Sequence, residues 1–181
     1  MEKVWLKNYP PGVPETINPD KFASVTELLG WCCARYREHS AFTNQGATIS
    51  WGRLDALSHN FAAYLHHEVG LRKGDRIALM MPNLLQYPVV LFGALRAGCT
   101  VVNVNPLYTA RELQHQLADS GAVAIVVLDN FAHTFELAQP DTAVKHVITT
   151  RVGDMLHFPK AQIVNLVVKH VRHMVPDWHI K

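Results

Sequence analysis

Few side chains in this 181-residue sequence have the types and spacing that catalysis or metal binding would need. The close histidine pairs are His66-His67 and His170-x-x-His173, and the second pair has the i, i+3 spacing that could share a metal. No third ligand with suitable spacing lies near it, so we do not predict a metal site. Cys99 has no base partner nearby in sequence and is predicted to be a small buried hydrophobe.

Two asparagines each follow a predicted apolar strand directly. Asn83 ends the segment Met81-Pro82-Asn83, and Asn105 begins the pair Asn105-Pro106. Ligands of open α/β sheets bind beyond the carboxyl ends of the strands, so both residues could lie near a site. Every such sheet also needs turns at these positions, and Asn and Pro readily form them. Turn formation is therefore the preferred interpretation.

The segment Gly70–Arg76 contains two glycines and three basic residues. A phosphate-binding P-loop would need Gly, four residues and Gly-Lys-Ser/Thr after a strand. This segment instead precedes a predicted strand, so it is interpreted as a solvated turn. The sequence also contains no Gly-x-Ser-x-Gly nucleophile motif.

The composition indicates an ordinary globular protein, with 49% hydrophobic and 18% charged residues. A net charge of +2 is too small to predict a nucleic-acid partner. The odd number of cysteines, three, favours a reducing compartment. The first twenty residues contain no apolar signal-peptide core, and no uninterrupted apolar stretch is long enough to cross a membrane. The expected location is therefore the cytoplasm.

Local signals divide the first part of the chain. Residues 1–22 hold four of the ten prolines and are predicted to form an extended arm. Ser24–Glu27 matches a capping box that opens a helix. Asn44-Gln45-Gly46 is predicted to be the turn of a small hairpin, and Ser50 is predicted to cap a second helix that ends near Glu68.

From residue 76 onwards, short apolar runs alternate with helical patterns. The predicted strands are Arg76–Met80, Thr100–Val104, Val123–Leu128 and Val144–Thr149, and the predicted helices are Leu84–Ala97, Thr109–Asp119 and Phe131–Ala138. Strands that are apolar throughout and alternate with helices are typical of βαβ units on a buried parallel sheet. Residues 23–150 are therefore predicted to be an α/β unit with a mostly parallel sheet and the small hairpin.

Residues 151–181 differ in charge, carrying +3 while the remaining 150 residues carry −1. Lys160–Val175 is predicted to be an amphipathic helix with a valine-rich face and a basic face, ended by Pro176. This tail could pack on its own domain, on another part of the protein, or on an anionic membrane surface. Packing on protein is preferred, because the apolar face lacks Trp and Phe. The candidate contact residues are Lys160, Val164, Val167, Lys169, Val171 and Arg172.

Several segments, taken in order, resemble adenylate-forming enzymes and in particular acyl-CoA synthetases. They are Thr48–Ser58, Gly70–Asn83, Leu91–Gly98, Val101–Pro106 and Tyr108–Leu113. Val4-Trp5-Leu6 with Tyr9-Pro10, and Asn83–Pro88, are similar to bacterial long-chain-fatty-acid–CoA ligases. The similarity covers nearly the whole chain.

The resemblance implies a two-step reaction in which ATP and a long-chain fatty acid form an acyl-adenylate and CoA then displaces AMP, with Mg²⁺ assisting. The family uses a Ser/Thr/Gly-rich phosphate loop ending in lysine, an aromatic-acidic nucleotide motif and a C-terminal lid with a catalytic lysine. None of these occurs in this sequence. We therefore expect a scaffold fragment of the larger N-terminal domain, without catalytic, cofactor-binding or metal residues, and inactive on its own.

The expected partners of this fragment are the remainder of its own polypeptide and, in the intact enzyme, a long-chain fatty acid and CoA. A sheet that lacks its neighbours exposes apolar surface, so homo-oligomerisation is also expected. The alternative function is a non-catalytic interaction or membrane-association module, located at the inner membrane as a peripheral protein. A small nucleotide-binding protein is disfavoured, because the sequence has no glycine-rich phosphate loop.

Overall fold

The computed structural model describes residues 2–179, which form a four-stranded sheet, a separate hairpin and six α-helices in the described part. The strands are β1 (Ser40–Asn44), β2 (Ala47–Ser50), β3 (Arg76–Met80), β4 (Thr100–Asn103), β5 (Ala124–Leu128) and β6 (His146–Thr150). The helices are α1 (Val25–Arg35), α2 (Trp51–His67), α3 (Gln86–Arg96), α4 (Ala110–Ser120), α5 (Ala132–Ala138) and α6 (Lys160–Leu166).

The larger sheet has the order β4-β3-β5-β6, and all its neighbouring strands are parallel. Ile77 and Leu79 share a core cluster with α2 and α3, whereas Ala78 and Met80 share the opposite cluster with α4 and α5. Helices therefore cover both faces, which explains why β3 and β5 are apolar at consecutive positions. The predicted α/β fold with a parallel sheet and a small hairpin is confirmed.

Helix starts depend on the hydroxyl residues identified in the sequence. Ser24, Ser50 and Thr109 each accept a hydrogen bond from the backbone N–H three residues later, at 3.1, 3.1 and 3.4 Å. At α4 the capping box is complete, since the Glu112 carboxylate also accepts from the Thr109 N–H at 2.8 Å. At α1 the Glu27 carboxylate instead accepts from the N–H of Ala23.

The hairpin β1–β2 turns through two residues in the left-handed region, Gln45 with φ 49° and Gly46 with φ 75°. Positive φ at both central residues matches the twist of a two-residue hairpin. Ile49 then packs in a third core cluster with Leu29 of α1 and Leu54 of α2. The hairpin is thus fixed against α1 and against α2, one of the helices that cover a face of the sheet.

Several predicted boundaries differ from the structure by one or two residues, and the arm differs in part from its predicted conformation. Helix α3 begins at Gln86 instead of Leu84, which places Pro88 in the first turn, where its missing N–H has no helical partner to lose. Strand β6 begins at His146, two residues later than predicted. The N-terminal arm is exposed but not wholly extended, since Val4–Asn8 and Pro19–Lys21 form short 3-10 helices.

The predicted tail helix Lys160–Val175 is wrong at its C-terminal end. Helix α6 passes into a π-helical turn at Val167–Val171, where the Arg172 N–H donates to the Val167 carbonyl at 2.8 Å. His173 then takes φ 50°, which ends the helix before Pro176 is reached. A hydrophobic pattern alone does not predict that the last turn widens into a π-helix.

Candidate functional site

The carboxyl ends of β3, β5 and β6 meet at one edge of the sheet. From β3 the chain adds β4 on one side and β5 on the other, so the strand order reverses between β3 and β5. In open parallel sheets this switch point forms a crevice, and ligands bind there. Two kinds of cavity occupy this edge.

The first cavity is apolar, has a volume of about 360 Å³ and lies at the switch point. Its wall comes from the loops that follow β3 and β5, the hairpin turn and the tail, namely Gln45, Pro82, Leu84, Leu128, Asn130, Phe131, Val152, Val168 and Met174. The tail forms one wall of this cavity, and the Asn130 side-chain amide donates to the Met174 carbonyl at 2.9 Å.

The second is a pair of adjoining polar cavities of about 240 and 330 Å³ beside β5 and β6. Both are lined by Asp129, which directly follows β5, by Arg151, which directly follows β6, and by Lys169 of the tail. Thr149, Asp177 and Trp178 contribute to the smaller one. Three charged side chains from separate parts of the sequence therefore meet at the edge where parallel sheets bind ligands.

Asp129 is the buried charge of this site, with 7% of the residue exposed. Its Oδ2 lies 3.8 Å from Arg151 Nε, and its Oδ1 has no hydrogen-bond partner among residues 2–179. Burial raises the pKa of the Asp129 carboxyl, and the positive charge of Arg151 partly opposes that rise. A buried carboxylate that is incompletely paired lowers the stability of the fold, so a hydrogen-bond donor next to Asp129 would be stabilising.

Polar contacts and close packing hold the helix of the tail against the loop that follows β6 and against the hairpin turn. The Asn165 carboxamide accepts from the Gly153 N–H at 2.7 Å and donates to Asp154 at 3.1 Å. A Cβ at Gly153 would lie 2.5 Å from the Ala161 carbonyl oxygen, so only glycine allows this approach. The Lys160 ammonium also donates to the Gln45 carbonyl of the hairpin turn.

The six predicted tail contact residues fall into two groups. Lys160, Lys169, Val171 and Arg172 are exposed, whereas Val164 and Val167 are half-buried. Val164 packs with Ala161 against the cluster that contains the hairpin. The helix thus docks by one edge and leaves the rest of its apolar arc uncovered, with Ile163, Leu166 and Val171 each more than half exposed.

The other candidate residues have mainly structural contacts. Asn105 Oδ1 accepts from the Leu107 N–H at 3.0 Å, which is the turn predicted for it, and the Asn83 carbonyl accepts from Asn44 at 3.0 Å. In the Gly70–Arg76 segment, the Asp75 carboxylate accepts from the Arg72 N–H at 2.7 Å and closes a turn. Cys99 is 5% exposed within the core, and burial raises the pKa of its thiol.

A further apolar groove lies between the hairpin and α3, and Leu84 lines both this groove and the switch-point cavity. Its volume is about 380 Å³. Its wall is formed mainly by Phe42, Leu84, Leu85, Tyr87, Pro88, Leu91 and Phe92. Burial raises the pKa of the Tyr87 phenol, whose hydroxyl donates to Asn103 Oδ1 at 2.7 Å. This groove is an uncovered apolar surface of the kind that a further segment of protein could cover.

The sequence analysis missed Asp129 and Arg151, although a signal for them existed. Asp129 directly follows the apolar run of β5, just as Asn83 and Asn105 lie just beyond their strands. Applying the same reasoning to β5 and β6 would have placed Asp129 and Arg151 at one edge. The contribution of Lys169 could not be read in this way, because it depends on how the tail folds back.

Neither a membrane span nor a metal cluster is found in the described residues. Within residues 2–179 no helix combines the length and the apolar character needed to cross a bilayer. Across the same range, no three His, Cys, Asp or Glu side chains come together in a way that could hold a metal ion.

Comparison with known proteins places this fold in one family. The family model described as AMP-binding enzyme matches residues 29–176. The chain is 56% identical over 180 residues to a long-chain-fatty-acid–CoA ligase of Salmonella typhimurium, and the match covers 99% of this chain and 32% of that protein. A long-chain-fatty-acid–CoA ligase of Bacillus subtilis is 33% identical over 174 residues, with 96% of this chain and 30% of that protein covered.

Solved structures agree on the fold. A long-chain-fatty-acid–CoA ligase from Archaeoglobus fulgidus superposes with a TM-score of 0.68 at 22% identity, covering 86% of this chain and 32% of that one. A benzoate CoA ligase from Burkholderia xenovorans gives a TM-score of 0.65 at 21% identity, and the match covers 77% of this chain and 28% of that one. The chain spans about a third of the length of the curated relatives it matches. By its family match and its identity to these relatives, the chain belongs to the AMP-binding enzyme family.

Proposed function

We propose that this chain is the N-terminal part of a long-chain-fatty-acid–CoA ligase, which makes acyl-CoA, AMP and pyrophosphate from ATP, a long-chain fatty acid and CoA. The supporting observation is 56% identity that runs through 99% of the chain. Identity at this level, sustained from the arm to the tail, favours shared function as well as shared fold. Residues 1–181 act as a scaffold on which the active site is assembled.

The side chains present do not by themselves fit ATP, Mg²⁺ or CoA. The sequence has no glycine-rich phosphate loop, and the part of the chain that the structure describes has no cluster of metal-binding side chains. We therefore assign no catalytic step to residues of this chain. The ligands for the nucleotide and its metal are expected on the remainder of the polypeptide.

A chimera tests this proposal directly. The segment of the Salmonella typhimurium ligase that aligns with residues 1–181 is replaced by this chain, and acyl-CoA formation from ATP, CoA and a long-chain fatty acid is measured. Activity within about tenfold of the parent enzyme is expected, because scaffold replacement should cost little transition-state stabilisation. A matched chimera that carries Gly93→Ala, which disturbs the α2–α3 packing, should be less stable.

The isolated 181-residue polypeptide is the second arm of this test. It should form no acyl-CoA above a heat-denatured sample. Turnover proportional to the amount of native polypeptide would show that its own residues perform the chemistry. A chimera that folds and binds no substrate would count against the ligase function itself.

We also propose a docking role for the tail, residues 151–181, as a segment distinct from the arm 1–22 and the α/β unit 23–150. The tail carries a net charge of +3 and exposes Phe158, Ile163, Leu166 and Val171. Contact with the remainder of the polypeptide is the favoured role. Peripheral contact with an anionic membrane is the alternative, and it would place a cytoplasmic ligase at the inner membrane surface.

Liposome sedimentation separates these two roles. If the tail binds membranes, the chain should sediment with anionic vesicles, less so at high salt, and the double change Leu166→Asp and Val171→Asp should abolish it. Both positions are exposed, so the fold should survive the changes. Sedimentation that the double variant leaves unchanged would exclude the membrane role.

The apolar groove beside α3 also favours self-association, which light scattering across protein concentrations measures.

A further inference from the structure

The polar cavities beside β5 and β6 have a combination of groups that the proposed ligase scaffold does not use. Asp129 is a buried acceptor, 7% exposed, with one oxygen 3.8 Å from Arg151 and the other without a partner among the described residues. Rotation of the carboxylate about χ2 has broad minima, so either oxygen can turn towards the cavity that Asp129 lines. A hydrogen-bond donor on a ligand in this cavity would therefore pair with an acceptor that has no partner among the described residues.

The same cavities are lined by two cationic side chains, Arg151 and Lys169. Arg151 is 64% exposed on its side chain, so its planar guanidinium can still receive an oxyanion from solvent. Thr149 adds a hydroxyl to the wall. In the larger cavity, two positive charges stand beside a single buried carboxylate, which disfavours a metal cation and favours an anion. The exposed Asp177 also lines the smaller cavity, so the larger one is the better anion site.

An anion that also donates a hydrogen bond can pair both with the cations Arg151 and Lys169 and with the Asp129 acceptor. We propose that the cavity binds a protonated phosphate group, with anionic oxygens on Arg151 and Lys169 and the P–O–H group donating to the Asp129 carboxylate. Inorganic phosphate keeps a proton at neutral pH, whereas sulfate and carboxylates have none to donate. Burial raises the pKa of Asp129, which makes it a better acceptor for that proton.

The test is calorimetric titration of the full chain with inorganic phosphate and with sulfate at equal ionic strength and neutral pH. Saturable phosphate binding at least about tenfold tighter than sulfate binding is expected, because an acceptor facing sulfate oxygens is repelled and left unpaired. Equal affinity for the two anions, or no saturable phosphate binding, would overturn the proposal.

Two variants and one control assign the binding to this cavity. Lys169→Gln should weaken phosphate binding about tenfold through loss of a charge-assisted hydrogen bond. Asp129→Asn should remove the preference for phosphate over sulfate, because an amide can donate to either anion. Lys145→Gln removes an equal charge from an exposed residue at the amino end of β6 and should change nothing. If Lys169→Gln and Lys145→Gln weaken binding alike, the cavity is not the site.

The phosphate group could be free or part of a lipid headgroup, and vesicles distinguish the two sources. Phosphatidic acid carries a phosphate monoester that still takes up a proton near pH 6, unlike the diester of phosphatidylglycerol. Selective binding to phosphatidic acid vesicles, displaced by inorganic phosphate, indicates the lipid source. Phosphate binding in solution without vesicle selectivity indicates the free anion. Either result retains the site, provided that Asp129→Asn alters it.

Discussion

The close packing of helices α2 and α3 is tested by Gly93→Ala. Gly93 lies in the middle of α3, where a Cβ would stand 2.8 Å from Phe61 Cδ1 and 2.9 Å from the Ser58 carbonyl oxygen of α2. The carbonyl belongs to the backbone of a long helix, so it cannot turn away as a flexible side chain could. Alanine at this position must therefore push α2 and α3 apart.

The expected destabilisation follows from two opposing effects. Relief of the contact requires a shift of about 0.5 Å towards normal separations, and overpacking of this kind costs about 1–3 kcal/mol. Alanine in place of glycine in a helix interior stabilises by about 0.8–1 kcal/mol. The net change in the free energy of unfolding should therefore be a loss of about 0–2 kcal/mol, because the cost of the contact at least cancels the gain in helix propensity.

Gly30→Ala provides the matched control. Gly30 is also inside a helix, α1, but a Cβ there meets nothing within 4 Å. The same substitution should therefore raise the free energy of unfolding by about 0.8–1 kcal/mol. Urea unfolding followed by circular dichroism, with linear extrapolation and equal m-values, measures both changes. If Gly93→Ala were as stabilising as Gly30→Ala, the close contact between α2 and α3 at Gly93 would be refuted.

Two further predictions concern local electrostatics and hydrogen bonds. Thr109→Ala should lower the free energy of unfolding by about 1 kcal/mol, because it removes one half of the capping box of α4. The Thr109 N–H, and after it the Thr109 hydroxyl, lower the pKa of Glu112, so NMR titration should show this pKa moving only partly back up when the hydroxyl is removed. A Glu112 pKa that stays unchanged in this variant would contradict the hydrogen-bond assignment. Asp129→Asn should leave the free energy of unfolding unchanged well below pH 4 and increase it at pH 7. Folding raises the pKa of the Asp129 carboxyl, so this group destabilises the parent protein as the pH rises from the unfolded pKa of about 3.9 through the folded pKa. Chemical unfolding as a function of pH checks this sign, and a variant that is less stable than the parent at pH 7 would refute it.

Helices and strands were predictable because their signals are local. A capping hydroxyl, a glycine with positive φ or a run of apolar residues acts within a few positions, as Ser50, Gly121 and Ala124–Leu128 do. The tail helix was predicted less well, because its last turn widens into a π-helix. Its apolar arc was also expected to share one environment, yet Val164 packs on the hairpin cluster while Ile163 is exposed.

The candidate site is the feature that sequence patterns described least. Asp129 and Arg151 are 22 positions apart, and Lys169 lies a further 18 residues along the chain, so no periodicity relates them. They meet because β5 and β6 are neighbours in a parallel sheet and the tail folds back over that edge. Parallel pairing aligns the ends of strands that are distant in sequence, which a local pattern cannot specify.

By itself, the sequence determined the α/β class, the order of strands and helices, and the family resemblance, since each depends on residue types at short spacing. Only the tertiary structure decided that β3 lies between β4 and β5, which edge of the tail helix is buried, and which charges share a cavity. The physical reason is that secondary structure is set by interactions along the chain. Burial and charge pairing are set instead by the element on the other side of the contact.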